Sequence, residues 1–224
     1  MSRQASFSSY LILLLLLSLP FKAVLASEEP NEMVSHTLEE LQTALQRKSQ
    51  DTDYEKVVNE VLLDKVDLDF IIKYVMGKEY YLSASEGQIT AFKDVFKNRL
   101  IKTYSSTLKI FKDANMEVLP HSKLYAGDRL AGVSMLMKSD GGVYPMRFTL
   151  RKNDEGQWKI VNLVLNGINV AKIFNGQFVD EMNRANNDLD IVTANWDLGN
   201  KPRALEKTGS DSYLKNWQEI VFKG

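Results

Sequence analysis

Histidine is the first residue type to consider for catalysis, because an imidazole exchanges protons near neutral pH and binds metals. The chain has two: His36, in an early segment with helical spacing, and His121, after Pro120 near a predicted strand. Neither has a second ligand at metal-binding spacing, and the chain contains no cysteine. A serine elbow, a phosphate-binding loop and a GxGxxG fingerprint are also missing. The sequence therefore predicts no metal site and no cofactor, and both histidines are interpreted as surface residues.

Carboxylates offer a second possible chemistry. Asp64, Asp67 and Asp69 cluster around a break between two predicted helices. Aspartate is favoured at such a break because its side chain accepts hydrogen bonds from free backbone N–H groups, so capping is the main interpretation. The alternative is a proton shuttle in which an aspartate works with Tyr104 or Tyr144 inside an apolar cone, as in steroid isomerases of helix-plus-curved-sheet shape. No other feature of the sequence selects that alternative, and the chain is not expected to be an enzyme.

Composition limits the number of domains and the class of partner. The chain has 224 residues, of which 44% are hydrophobic and 25% are charged, with a formal net charge of -1. This length suits one globular domain with its own core. A near-neutral chain lacks the broad positive field that nucleic acid binding requires, so no nucleic acid partner is expected.

The first residues resemble a secretory signal peptide. A short basic start is followed by the apolar run LILLLLLSLP and by small residues at Val24 and Ala26. We therefore expect residues 1–26 to be removed, leaving a soluble periplasmic protein with no cysteine to be lipidated. The alternative is an uncleaved anchor, which Pro20 and Lys22 disfavour because they interrupt the apolar run before it could cross a bilayer.

The first half of the mature chain has helical periodicity. Apolar residues recur three to four apart over residues 31–47 and 53–63, and Asp67 caps a predicted helix that Gly77 ends. Ser85 begins the longest predicted helix, which continues to Phe111 and would be about 40 Å long. Its aromatic-rich stripe could form the floor of a long pocket.

The second half changes to the period of strands. Strands are predicted around residues 116–124, 133–138, 144–151 and 158–165, with hairpins at residues 140–142 and 153–156. In the fourth strand, alternation would place Trp158, Ile160 and Val164 on one face and Val161, Leu163 and Leu165 on the other. Helical spacing returns over residues 168–182 and extends through residues 189–196, and a loosely attached tail follows from residue 199. The predicted fold class is α+β, with helices on one antiparallel sheet of four strands.

Large apolar side chains concentrate on the inward faces of these elements. By itself this pattern is typical of an ordinary core, because any core requires a stripe at helical or strand spacing. Periodicity identifies the inward face but does not distinguish a core from a cavity.

Two blocks of sequence resemble the MlaC family, the periplasmic phospholipid-binding component of the Mla lipid transport system, also called the toluene-tolerance family. The likeness runs from about Val57 to Asp190. The first block is VDLDFIIKYVMGKEYYLSASEGQITAFKDVFKNRLIKTYSSTL, and the second is WKIVNLVLNGINVAKIFNGQF. The chain departs from the usual family residues at Asn162, Asn169 and Asn175, where members carry Asp, Ser and Arg.

The resemblance implies a cone of helices packed on one curved four-stranded antiparallel sheet, with a lipid-binding domain over residues 27–198. Acyl chains would lie in an apolar pocket and the polar head group would remain outside. The implied partners are phospholipid, an inner-membrane ABC transporter complex with an MCE-domain subunit, and an outer-membrane lipoprotein–porin complex. A related possibility is a carrier of another apolar ligand, such as a sterol-like lipid. The residues expected to line the pocket are Leu68, Ile71, Val75, Phe92, Phe96, Leu100, Tyr104, Met135, Met137, Met146, Phe148, Leu163 and Phe174.

Overall fold

The first helix, α1 (Pro30–Gln46), matches its predicted position within one residue. The computed structural model describes residues 29–47, 53–105, 108–125, 128–139 and 142–196. The predicted leader and the predicted tail lie outside these residues. Pro30 suits the first turn of α1 because it lacks an N–H that a helix would leave unpaired there. The apolar stripe of α1 is buried, so this helix packs through the face that its spacing predicts.

The second helical segment has three consecutive geometries. It begins with α2 (Tyr54–Val57), which Asp53 caps through the Lys56 N–H, at 3.0 Å. A π-helical turn (Val58–Leu62) and a 3-10 turn (Leu63–Lys65) follow. The segment then pairs with the sheet through a single parallel bridge between Val66 and Ile160.

The third helix, α3 (Leu68–Ser83), is kinked. As predicted, Asp67 caps it by accepting a hydrogen bond from the Phe70 N–H at 2.9 Å. Gly77 was expected to end the helix, and this was wrong in part. With φ 75° and ψ 161°, Gly77 interrupts the helix, but helical geometry resumes beyond it to Ser83.

The longest helix, α4 (Glu86–Ser105), is shorter than predicted. Ser85 and Gln88 form the expected start, because the Ser85 N–H donates to Gln88 Oε1 and the Gln88 N–H donates to Ser85 Oγ. The prediction that this helix continues to Phe111 was wrong, since Phe111 belongs to a separate short helix, α5 (Lys109–Asp113). Twenty residues span about 30 Å rather than 40 Å.

The sheet contains six strands among the described residues, two more than expected. They are β1 (Asn115–Val118), β2 (Lys123–Tyr125), β3 (Leu130–Ser139), β4 (Gly142–Lys152), β5 (Trp158–Leu165) and β6 (Ile168–Asn169). The order is β1-β3-β4-β5-β6, with β2 also paired to β3, and every strand pair is antiparallel. The predicted strand over residues 116–124 is divided because Pro120 has no N–H to donate to β3.

A β-bulge in β5 changes which side chains share a face. Thr149 lies opposite Asn162 and Leu150 lies opposite Ile160, so Val161 is the extra residue. Ile160 and Trp158 therefore face the same side as Leu163 and Leu165. The predicted assignment of β5 to two alternating faces was wrong, because strict alternation does not continue through a bulge.

Two helices follow the sheet. They are α6 (Val170–Arg184) and α7 (Leu189–Trp196), and α7 does not extend α6 as expected. Asn186 and Asn187 have φ angles of 52° and 63°, which turn the chain between the two helices. The fold class itself, α+β with helices packed on one antiparallel sheet, is confirmed.

The buried apolar side chains form three separate clusters. The sheet cluster consists of Met33, Val34, Leu38, Ala114, Ala131, Val133, Met135, Met137, Tyr144, Met146, Leu150, Trp158 and Leu165. The aromatic cluster consists of Ile72, Val75, Met76, Phe92, Phe96, Phe174, Phe178, Met182, Leu189, Val192 and Trp196. The amino-terminal cluster consists of Leu41, Leu45, Val57, Val58, Ile101 and Leu108. Half-buried apolar residues pack against each cluster, and Phe111 packs against both the sheet cluster and the amino-terminal cluster.

Candidate functional site

The residues expected to line a pocket divide between the sheet and the helices. On the sheet side, Met135, Met137 and Met146 belong to the sheet cluster, and Phe148 and Leu163 pack against it. On the helix side, the aromatic cluster includes or borders Ile71, Val75, Phe92, Phe96, Leu100 and Phe174. Leu68 is half-buried at the start of α3, and the side chain of Tyr104 lies outside the described residues.

The aromatic side chains of the aromatic cluster pack against one another. Phe92 packs edge-to-face against Phe178 and Trp196, with ring centroids 5.1 and 5.2 Å apart. Phe96 packs in the same way against Phe174 at 5.1 Å. Phe92 and Phe96 are 0% and 1% exposed, so protein atoms surround both rings. The aromatic stripe of α4 is thus packed as a core in this structure.

A different set of inward-facing apolar side chains is only half-buried. Phe148 and Leu163 lie opposite each other on β4 and β5, while Met146 and Leu165, the next inward pair, are buried. Ile160, on the same face, is also half-buried. Buried members of the sheet cluster lie on both sides of them, namely Met146 and Leu150 on β4 and Trp158 and Leu165 on β5, so this part of the inward face is less enclosed than its surroundings.

Half-buried apolar residues of the other clusters lie on elements that contact β5 or one another. Leu62 and Leu63 border the amino-terminal cluster, and Ile71 and Leu100 border the aromatic cluster. The 3-10 turn and α3 both contact β5, and the π-helical turn and α3 both contact α4. We define this junction of the three clusters as the apolar border, formed by Leu62, Leu63, Ile71, Leu100, Phe148, Ile160 and Leu163.

Polar contacts fasten the helical side of the apolar border to the sheet. Arg151 Nη1 donates to Asp67 Oδ2 at 2.9 Å, and the Asp67 N–H donates to the Ile160 carbonyl at 3.0 Å. Lys159 Nζ donates to the Asp64 carbonyl at 2.6 Å. These bonds hold the start of α3 against the edge of β5.

The third aspartate of this group also has a basic partner. Lys93 Nζ donates to Asp69 Oδ1 at 2.8 Å, and this hydrogen bond raises the pKa of Lys93 above its ordinary value. Each of the three aspartates singled out in the sequence therefore pairs with a lysine or arginine. The carboxylates are structural groups that position α3.

Part of the apolar border could not be found by periodicity. Leu62 ends the π-helical turn and Leu63 begins the 3-10 turn, and apolar spacing alone does not predict this change of geometry, at which two adjacent residues both border the amino-terminal cluster. Ile160 was assigned to the opposite face from Leu163, an assignment that the bulge at Val161 reverses. Ile71, Leu100, Phe148 and Leu163 were predicted.

One position that resembles the family, Gln177, and the three positions that depart from it have local structural roles. Gln177 is 3% exposed, and with its amide oxygen turned towards Arg99 it accepts hydrogen bonds from that guanidinium at 2.7 and 2.8 Å. Asn162 Oδ1 accepts from the Ala171 N–H, and Asn169 Oδ1 caps α6 through the Lys172 N–H. Asn175 Nδ2 donates to the Val75 carbonyl at 3.0 Å. The three asparagines stabilise α6 and its contacts with β5 and α3.

The described residues do not provide the arrangement that a cone-shaped isomerase requires. Tyr144 is buried in the sheet cluster, where desolvation raises the pKa of its hydroxyl. No aspartate in the described ranges is buried, and Asp67 is paired with Arg151. His36 and His121 are exposed. Over the same ranges, no group of histidine and carboxylate side chains is arranged to hold a metal ion.

A separate open cleft of about 750 Å³ lies between the end of α3, the start of α4 and the α6–α7 turn. Glu79, Gln88, Asp188 and Asp190 are among its walls, and no residue of the apolar border lines it. Such a polar surface does not favour an acyl chain, because apolar groups leave water for apolar surroundings. The apolar border is therefore the better candidate for a lipid site.

Comparisons with known proteins agree with this fold. The family model described as MlaC protein matches residues 31–197. The chain is 34% identical over 190 residues to the toluene tolerance protein ttg2D of Pseudomonas putida, covering 83% of this chain and 87% of that protein. A phospholipid-binding protein from Ralstonia solanacearum, solved in complex with a phospholipid, has a similar fold with a TM-score of 0.67 and 17% identity, over 76% of this chain and 96% of that one. In the part of this chain that the structure describes, no helix is long and apolar enough to span a membrane. The chain belongs to the MlaC family.

Proposed function

We propose that this protein binds a phospholipid and carries it through the periplasm between the inner and outer membranes. The observation that carries this proposal is the apolar border, a set of half-buried side chains from three clusters on elements that contact one another. Membership of the MlaC family and the likeness to a fold that holds a phospholipid support the same ligand class. No catalytic step is part of the proposal.

The energetics suit a carrier. Burying one methylene group is worth about 0.8 kcal/mol, so two acyl chains contribute on the order of 20 kcal/mol relative to water. A lipid bound at the apolar border would therefore not escape into water unaided. A bilayer offers an equally apolar environment, so transfer between membrane and protein is nearly balanced. The direction of transport must then come from the partners that the carrier meets.

The proposed partners lie at the two membranes. By family resemblance they are an inner-membrane ABC transporter complex with an MCE-domain subunit and an outer-membrane lipoprotein–porin complex. The predicted signal peptide, residues 1–26, would deliver the carrier to the compartment between them.

The test is native mass spectrometry of the protein purified from periplasm, followed by organic extraction and identification of the ligand. We expect a diacyl phospholipid at stoichiometric occupancy. A sterol-like or other apolar ligand would instead support a carrier of the same fold with a different cargo. A ligand-free protein that takes up no lipid from liposomes would contradict the proposal.

A variant with a larger side chain at the apolar border tests where the ligand binds. Leu163→Trp places an indole at the apolar border, where overpacking costs about 1–3 kcal/mol of folding stability and competes with acyl chains for space. We expect lipid occupancy to fall severalfold in Leu163→Trp and in a second variant, Leu100→Trp. Val143→Trp is the matched control, because Val143 is 53% exposed at the start of β4. Full occupancy in a folded Leu163→Trp protein would place the ligand elsewhere.

A further inference from the structure

Residues 59–71, which we call the strap, form one side of the apolar border without a buried side chain among them. All are exposed or half-buried, whereas Val57 and Val58 before the strap and Ile72 after it are buried at 1%, 7% and 1% exposure. Segments with few buried apolar contacts open at lower free energy than the core around them. The strap is thus anchored at both ends and weakly held between them.

The geometry of the strap departs from a regular helix. It contains most of the π-helical turn, then the 3-10 turn, and a single parallel bridge from Val66 to Ile160. A π-helical turn is rare and occurs frequently at functional sites. Leu62, Leu63 and Ile71 contribute to the apolar border from the strap, and Val66 pairs with Ile160, so moving the strap would uncover β5 at Ile160.

Polar bonds to the sheet hold the strap down. The best shielded is the ion pair of Arg151 with Asp67, whose side chains are 28% and 13% exposed. Asp67 also caps α3, and the Arg151 guanidinium lies 5.3 Å from the centre of the Phe70 ring. Lys159 binds the Asp64 carbonyl, and Lys65 pairs with Glu40 of α1 at 3.4 Å. The charged residues that form these bonds all lie outside the three clusters.

We infer that the strap is the gate of the apolar border and that the Arg151–Asp67 ion pair is its latch. This inference rests on the proposed function and specifies the path by which acyl chains enter. A latch raises the free-energy barrier that a lipid crosses when it enters or leaves the apolar border. Breaking the latch therefore speeds lipid exchange in both directions and changes the equilibrium lipid occupancy little. If the ion pair had only a structural role, breaking it would lower stability. It would not raise the lipid exchange rate while leaving the lipid occupancy nearly unchanged.

The first test measures exchange of pyrene-labelled phosphatidylglycerol between the protein and phosphatidylethanolamine–phosphatidylglycerol liposomes. Asp67→Asn removes the charge but retains a side chain that caps helices well. We expect the exchange rate to rise about threefold to tenfold in Asp67→Asn and in Arg151→Met, with occupancy nearly unchanged. Asp154→Asn is the control, because it breaks the exposed Arg129–Asp154 pair far from the strap in sequence.

The second test locks the gate. The chain contains no cysteine, so Val66→Cys combined with Ile160→Cys introduces one defined disulfide across the bridge. The oxidised protein should exchange lipid severalfold more slowly than the same protein after reduction. Equal rates in the two states, or unchanged rates in Asp67→Asn, would overturn the gate. A parent protein that binds no lipid would instead contradict the proposed function, so the two failures are distinguishable.

Discussion

At the scale of single residues, Asn175 fastens the kinked helix α3 to α6. Its Nδ2 donates to the Val75 carbonyl at 3.0 Å, two residues before the kink at Gly77. Residue 175 is asparagine in this chain, where the resemblance to the family would imply arginine. Both side chains are donors, so the requirement at this position is for an N–H directed at the end of the first half of α3.

This role predicts the effect of substitution. Asn175→Ala removes the side-chain hydrogen bond to the Val75 carbonyl and should lower the free energy of unfolding by about 1–2 kcal/mol, whereas Asn175→Arg should retain most of the stability. Urea denaturation followed by circular dichroism measures both. Asn98→Ala, on the exposed side of α4, is the matched control and should be neutral or slightly stabilising. Equal losses in Asn175→Ala and Asn175→Arg would show that the position needs the shape of asparagine rather than a donor.

Individual contacts also show what can be predicted from the sequence: contacts between residues close in the chain can, and contacts between distant residues cannot. The caps at Asp67 and Ser85 were predicted, because each bonds to a residue three positions away. The partners Arg151 and Asn175 were not, since 84 residues separate Arg151 from Asp67 and 100 separate Asn175 from Val75. A single sequence contains no local signal for pairs so distant.

At the scale of elements, the kink of α3 depends on one glycine. Gly77 adopts φ 75° and ψ 161°, a region that residues with a side chain rarely occupy. Gly77→Ala should therefore lower the free energy of unfolding by about 1–3 kcal/mol. A methyl group added at Gly87, in the first turn of α4, would meet no atom within 4 Å. Gly87→Ala should instead raise stability by about 0.5 kcal/mol, and urea denaturation of both variants tests the contrast. A neutral Gly77→Ala would mean that the kink relaxes at little cost.

The spacing of apolar residues predicted the positions of the helices and strands better than it predicted where these elements are interrupted. The positions of α1, the hairpin strands β3 and β4, and the cap of α3 follow from spacing and turn residues. The end of α4 before Phe111, the division of the first strand at Pro120 and the bulge at Val161 do not, because apolar spacing continues across all three. Each interruption changes which side chains face the interior.

At the scale of the whole molecule, these interruptions decide where a ligand can fit. The sequence indicated an inward apolar surface, and those of its residues whose side chains are described are buried or half-buried, but they divide into enclosed clusters and a half-buried border. Phe92 and Phe96 illustrate the first group, and Phe148 and Leu163 illustrate the second. The difference depends on how three clusters meet, which is a property of packing between distant elements.

This arrangement predicts a localised response to lipid removal. A ligand present at 100 times its Kd stabilises a folded protein by about 2.7 kcal/mol, so delipidated protein should melt at a lower temperature than loaded protein. Hydrogen–deuterium exchange should increase most in the strap and in β5 (Trp158–Leu165), because both border the proposed site. Exchange in α6 and α7 should change little, since the aromatic cluster that they share with α4 is already closed by its own ring contacts. If exchange rose instead around Phe92, Phe96 and Phe174, the acyl chains would lie along the aromatic stripe, and the aromatic cluster would have to open to admit them.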